Sequence, residues 1–178
     1  MSGQNLLHFL TYIIQAALPI PPHSIPSRSM CPKPGAPPVL LEKLISMYAA
    51  APVNKIYNPV MEVSEGEAVI EIELSEKYHH SAGGVHASVY FKMLDDSAFF
   101  AANSLEEIFF VLTTSFTTYI TRPVASGKMI AIGKVVNKNK TQFIAESVVY
   151  DSEGREIGRG NGIFVKGKFP LVDAAGYA

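Results

Sequence analysis

From Val85 to Ala102 the chain reads VHASVYFKMLDDSAFFAA, a run of good helix formers whose apolar residues fall on almost every face. A helix of that composition is buried nearly all round, so the remaining elements have to wrap it. Two adjacent carboxylates, Asp95 and Asp96, sit in its middle. Burying an unpartnered carboxylate costs on the order of several kcal/mol, so the pair calls for a cation, a route to solvent or a chemical use. Lys92 lies four residues before Asp96 and three before Asp95, and the i,i+4 spacing gives it to Asp96 as an ordinary ion pair. Asp95 is then the acid left over.

Gly83 and Gly84 precede the helix. The first N–H groups of a helix have no internal partner and lie at the positive end of its dipole, where an oxyanion or a polarised carbonyl is stabilised. His86 and Asp95 are nine residues apart, which places them on roughly opposite faces and about 13 Å apart along the axis. One helix cannot aim both ends at one small substrate group. Joint action of the N–H donors and the carboxylate therefore requires two copies of the helix, and with them a symmetric dimer.

The 178 residues, 48% of them hydrophobic, suffice for one domain with a substantial core and not for two comfortable ones. A net charge of -1 without basic runs gives no sign of a nucleic-acid partner. The single cysteine, Cys31, excludes an intramolecular disulfide and a cysteine-rich metal site and fits a reducing compartment, so a cytoplasmic location is expected. Residues 1–37 differ from the rest. Leu6 to Ile20 is apolar but too short to span a bilayer, and it lacks the basic residues that precede a signal-peptide core. Pro21 to Pro38 reads as an extended Pro- and Ser-rich linker, and Met30 is a second candidate start, so residues 1–29 are expected to be dispensable for folding.

The domain is expected over 38–169, with 170–178 as a tail. Val39 to Ala50 has the spacing of a short amphipathic helix stopped by Pro52. Pro59 to Val63 and Ala68 to Leu74 alternate with period two around Ser64–Glu67 and predict a hairpin. After the central helix come four strands: Ile108 to Thr121, Lys128 to Asn137, Thr141 to Tyr150 and Glu156 to Val165. The short turns between them predict antiparallel neighbours in succession. Gly158, Gly160 and Gly162 in the last strand mark a bend or a close backbone approach. Helix, two strands, a buried helix and four strands give an α+β architecture, with one antiparallel sheet wrapped around the central helix.

At this point Val39 to Lys168 resembles the hotdog-fold acyl-CoA thioesterases of the phenylacetic-acid-degradation type. The family motif runs Asn, two residues, Gly, two residues, His-Gly-Gly, then Asp nine residues after the His. This chain has His80, Gly83, His86-Ala87-Ser88 and Asp95 at that spacing, and Tyr119 and Pro123 match an aromatic and a proline at the end of a later strand. The resemblance implies that Asp95 is general base or nucleophile, that the backbone N–H of Ala87 polarises the thioester carbonyl, and that His80 stands where the family often has Asn. Thr113, ten residues before Pro123, would orient water. Gly83, Gly84, Val85, His86 and Ser88 would line the thioester's approach, with His86 at the helix start read as a structural hydrogen-bonding residue rather than a base. Ala-Ser in place of Gly-Gly keeps the N–H groups and narrows that approach, and His80 brings a group that titrates.

The expected function is hydrolysis of an acyl-CoA thioester to acid and CoA, at a site shared in a homodimer or dimer of dimers, with no metal or redox cofactor. The alternative is a non-catalytic hotdog protein that binds an acyl chain or acyl-CoA. A hotdog dehydratase fits less well, because no Asp is followed five residues later by His. Arg122, Lys138, Lys140 and Arg159 are candidates for the CoA phosphates.

Overall fold

A computed structural model describes residues 37–178. The expectations for residues 1–36 lie outside the described residues. Helix α1 spans Pro38–Ala50, a short α2 spans Asn54–Tyr57, and β1 (Val60–Ser64) and β2 (Glu67–Glu73) form the hairpin. The central helix α3 spans Ala87–Asn103, followed by β3 (Phe109–Ile120), β4 (Lys128–Lys138), β5 (Gln142–Asp151) and β6 (Glu156–Pro170). The six strands make one antiparallel sheet in the order β1-β2-β4-β5-β6-β3, curved around α3, which packs against all six. Alternation along the strands puts Ile70, Ile72, Met129, Ala131 and Val149 in one core cluster with Tyr90, Met93 and Leu94 of the helix, and Phe143 and Phe164 in a second with its Ala98 and Ala102. Fully burying each large apolar side chain contributes about 1.5–3 kcal/mol, which makes this interface the main source of stability.

Three expectations change. β3 does not pair with β4; it lies at the far edge against β6. Residues 121–127 reach about 23 Å when extended, more than the roughly 14 Å across three strand spacings, so a seven-residue connection crosses the open end of the curved sheet. That crossing segment is anchored: the Val85 N–H donates to Val124 O and the Leu74 N–H to Gly127 O, at 2.9 and 2.8 Å. Nor is α3 buried all round within one chain, since Ala87, Ser88 and Phe91 are exposed and Lys92, Asp95 and Phe99 only partly covered. Finally, residues 170–178 fold back on the body. Leu171 is fully buried, and Gly176, at φ 78°, leaves no room for a Cβ beside Ala50 and Ser46 of α1.

Glycine brings the layers together at two places. A Cβ on Gly133 of β4 would stand 2.2 Å from the carbonyl group of Ser97, so the bare backbone lets α3 lie directly on the sheet. On β6, the Phe116 ring of β3 lies across Gly160 and Gly162, which accounts for the close approach expected there.

Candidate active site

The chain enters α3 through a tight loop. The His80 N–H donates to Gly84 O and the Gly83 N–H to His80 O, both at 2.9 Å, and Gly83 takes φ 80°, which favours glycine. The His80 ring packs against Gly84, and its Nδ1 accepts from the Ala82 N–H at 3.1 Å. His86 is the N-cap of α3: its Nδ1 accepts from the Ser88 N–H at 3.1 Å and lies 2.8 Å from Ser88 Oγ. The structural reading of His86 is therefore realised. Among the described residues nothing accepts a hydrogen bond from the Ala87 N–H, the next donor at this helix end. Ala87 and Ser88 are exposed, so the N–H group is open to a ligand. Val85 is different: it is buried among core residues and its N–H is spent on Val124 O, so its side chain offers a ligand no contact.

Two turns further along, Asp95 projects from the open stripe of α3 towards β3. Thr113 Oγ1 donates to Asp95 Oδ1 at 3.1 Å. A β-bulge sets this contact up, since the β3–β6 register shifts between Thr113 and Ser115, and Thr114 turns its hydroxyl onto Ile163 O at 3.0 Å. Loss of hydration raises the Asp95 carboxyl to about 6. The Thr113 hydrogen bond opposes the rise, the Asp96 charge adds to it and the Lys92 charge again opposes it.

Asp96 is differently placed. Its Oδ2 receives both Lys92 Nζ and the Tyr48 hydroxyl, the latter at 2.8 Å. Burial and then the Asp96 carboxylate hold the Tyr48 phenol far above its usual range, so it stays a donor. The Lys92–Asp96 pair expected from spacing is present and Asp95 is the free acid.

Asp95 and Thr113 open on a cavity of about 320 Å³ walled by α1, α3 and β3, chiefly Met47, Tyr48, Phe99, Phe110 and Leu112. Its size suits a modest acyl group and not a whole cofactor. Sequence reasoning missed the contribution of α1 to this wall, because a period-3.6 pattern says which face of a helix is apolar and not what it meets. The sequence-derived site residues thus fall into two groups on one chain: His80, Gly83, Gly84, His86, Ala87 and Ser88 at the start of α3, and Asp95 with Thr113 in its middle. Eight residues of helix, about 12 Å, separate Ala87 from Asp95. Among the described residues no group of three or more His, Cys, Asp or Glu side chains is placed to hold a metal ion, and no helix is long and apolar enough to cross a membrane.

No family model matches the chain. Among curated proteins, the "Putative esterase" of Saccharolobus solfataricus is 24% identical over 96 residues, which span 54% of this chain and 69% of that protein. Among solved structures, the E. coli PaaI protein from the phenylacetic acid degradation operon superposes with a TM-score of 0.67 at 17% identity, covering 74% of this chain and 98% of that one. A thioesterase family protein from Silicibacter pomeroyi gives 0.65 at 24% identity, over 70% and 95%. Backbone likeness of this extent, together with the wrapped helix and strand order, identifies the chain as having the hotdog fold, which it shares with these proteins.

Proposed function

We propose that the protein is an acyl-CoA thioesterase whose site is built by two copies of the chain. The observation that carries the reading is the Asp95–Thr113 pair: a carboxylate with a raised pKa, held by one hydroxyl at the mouth of an apolar cavity. Hydrolase names among the similar proteins support the reaction class. The acyl group enters the cavity beside Phe99 and Leu112, and the thioester carbonyl rests at the helix start of the second subunit. Asp95 takes a proton from water, whose oxygen attacks the carbonyl carbon, or attacks that carbon itself; both routes need the carboxylate form. The Ala87 N–H of the partner subunit receives the charge that develops on the carbonyl oxygen. The intermediate collapses with cleavage of the C–S bond, and CoA thiolate leaves to take up a proton; on the route of direct attack, water then hydrolyses the acyl–Asp95 anhydride, releasing the acid and restoring the carboxylate.

The second copy is argued from β3. It is one of the sheet's two edge strands and the longer of them, twelve residues against five in β1, with Leu112, Tyr119 and Ile120 exposed, and it runs beside the uncovered Phe91 of α3. A long apolar edge is a template for another strand, and antiparallel pairing of two β3 strands sets two α3 helices side by side. That arrangement brings one helix start towards the other copy's Asp95 and closes the open stripe. Gly83, Gly84, His80 and Ser88 then line the approach of the thioester. A dimer or a dimer of dimers in a reducing compartment completes the reading, with the expected domain from residue 38, extended by the packed segment 170–178, as the catalytic unit.

The test is a thiol-release assay on a panel of acyl-CoA thioesters of graded chain length and ring content. Hydrolysis of a short or aromatic acyl group, falling as the chain outgrows the cavity, is expected. Tight binding with no thiol released from any of them would leave the non-catalytic binding protein instead.

A further inference from the structure

Lys92 precedes Asp95 by three residues and Asp96 by four, so its ammonium can reach either carboxylate along the helix. The structure commits it to Asp96. Tyr48 of α1 donates to the same Asp96 oxygen, and the ammonium stands 5.4 Å from the centre of the Tyr48 ring and 5.2 Å from that of Tyr57, inside cation–π range. Tyr57 in turn is stacked on Tyr78 at 5.0 Å, and the Tyr78 hydroxyl donates to Ile56 O. A solvated i,i+4 pair needs no such setting and contributes little. Here the lysine side chain is 12% exposed and its head is held by groups from α1, α2 and α3 together.

We propose that Tyr48 and Asp96 are a positioning pair that withholds Lys92 from Asp95, so that Asp95 meets substrate as a carboxylate whose one direct partner is the Thr113 hydroxyl. The inference rests on Asp95 being the working carboxylate. Direct pairing with Lys92 would occupy an Asp95 oxygen and pull its pKa down by roughly 1–3 units, leaving a poor base. The charged and titratable groups around Asp95 are Lys92 and Asp96 on its own helix and Tyr48 behind Asp96 on α1. Among the described residues β3 presents the Thr113 hydroxyl, Asn54 of α2 adds an uncharged amide, and the rest of the wall is apolar. The effects of Asp96 and Lys92 on Asp95 oppose each other, and both are smaller than those of burial and the Thr113 hydrogen bond.

The test follows the Asp95 carboxyl by ¹³C NMR titration, and in parallel the acid limb of kcat/KM against pH, in the full-length chain. Asp96→Asn should lower the Asp95 midpoint by about one unit or more, because it removes a repelling charge and frees the ammonium. Lys92→Met should raise it, and the double variant should return close to wild type. Tyr48→Phe keeps every charge and removes one hydrogen bond; a smaller downward shift there separates withholding from simple subtraction of charge. A midpoint that ignores both Asp96→Asn and Tyr48→Phe overturns the proposal. The two layers fail separately: full activity in Asp95→Asn defeats the catalytic reading, whereas an inactive Asp95→Asn with an immovable midpoint defeats only the withholding.

Discussion

Asp95→Asn should abolish turnover while making the fold more stable, a combination that a structural acid does not produce. The carboxyl titrates at 3.8 in an unperturbed setting and at about 6 in the folded chain. A folded-state pKa above the unfolded one means that the stabilising contribution is fully present below 3.8, where the group is protonated in both states, and is lost as pH rises through 6. At about 1.36 kcal/mol per unit the gap amounts to roughly 3 kcal/mol of destabilisation above pH 7. Asp95 is open to solvent on one side, so screening reduces this to about 1–2 kcal/mol. Asparagine carries no charge, and its carbonyl still accepts from Thr113. At pH 8 the variant should melt about 2–6 °C higher than wild type, and at pH 4 the two should melt together. Turnover should fall by about two or more orders of magnitude with acyl-CoA binding kept. Calorimetry at the two pH values with a thiol-release assay on the same samples reads both effects. A lower melting temperature at pH 8, or a gain independent of pH, would refute the account of Asp95 as a carboxylate strained by burial.

Thr113→Val removes the hydroxyl that opposes the rise in the Asp95 pKa, so kcat/KM should drop about tenfold, the scale of one hydrogen bond to a charge, and its acid limb should move to higher pH. Gly133→Ala pushes a methyl group into the Ser97 backbone and should cost about 1–3 kcal/mol or more, seen as a shift in urea midpoint at unchanged m-value. Leu112→Lys puts a charge on the exposed edge of β3; sedimentation should show a weakened dimer, and activity should fall in step with dissociation.

Much of the fold was legible because hydrophobic period and turn chemistry are local. The greasy stretch ending in Ala102, the period-two runs in β1 and β2 and the Asp151–Gly154 turn each declare their element without outside help. The place of β3 was not legible, since nothing between Thr121 and Gly127 says that the chain crosses the mouth of a curved sheet. The site divided along the same line. Spacing isolates Asp95 as the acid without a cation and pairs Lys92 with Asp96, because both facts belong to one helix. Tyr48 on Asp96 and the bulge that aims Thr113 bring together residues 48 and 18 positions apart, and no periodic signal records such a contact.

The central claim is that one subunit supplies the carboxylate and the other the helix start, and mixing inactive subunits tests it. Ala87→Pro deletes the N–H donor at the first helical position, where proline fits, and His86 already has the extended backbone, φ -66° and ψ 143°, that precedes proline comfortably. Asp95→Asn deletes the other half. Each variant alone should be inactive. Unfolded and refolded together in equal amounts, they should recover about a quarter of wild-type activity, because half the dimers are hybrids and each hybrid holds one site with both groups intact. Mixtures no more active than either parent, with hybrid dimers demonstrably present, would contradict a site shared between subunits.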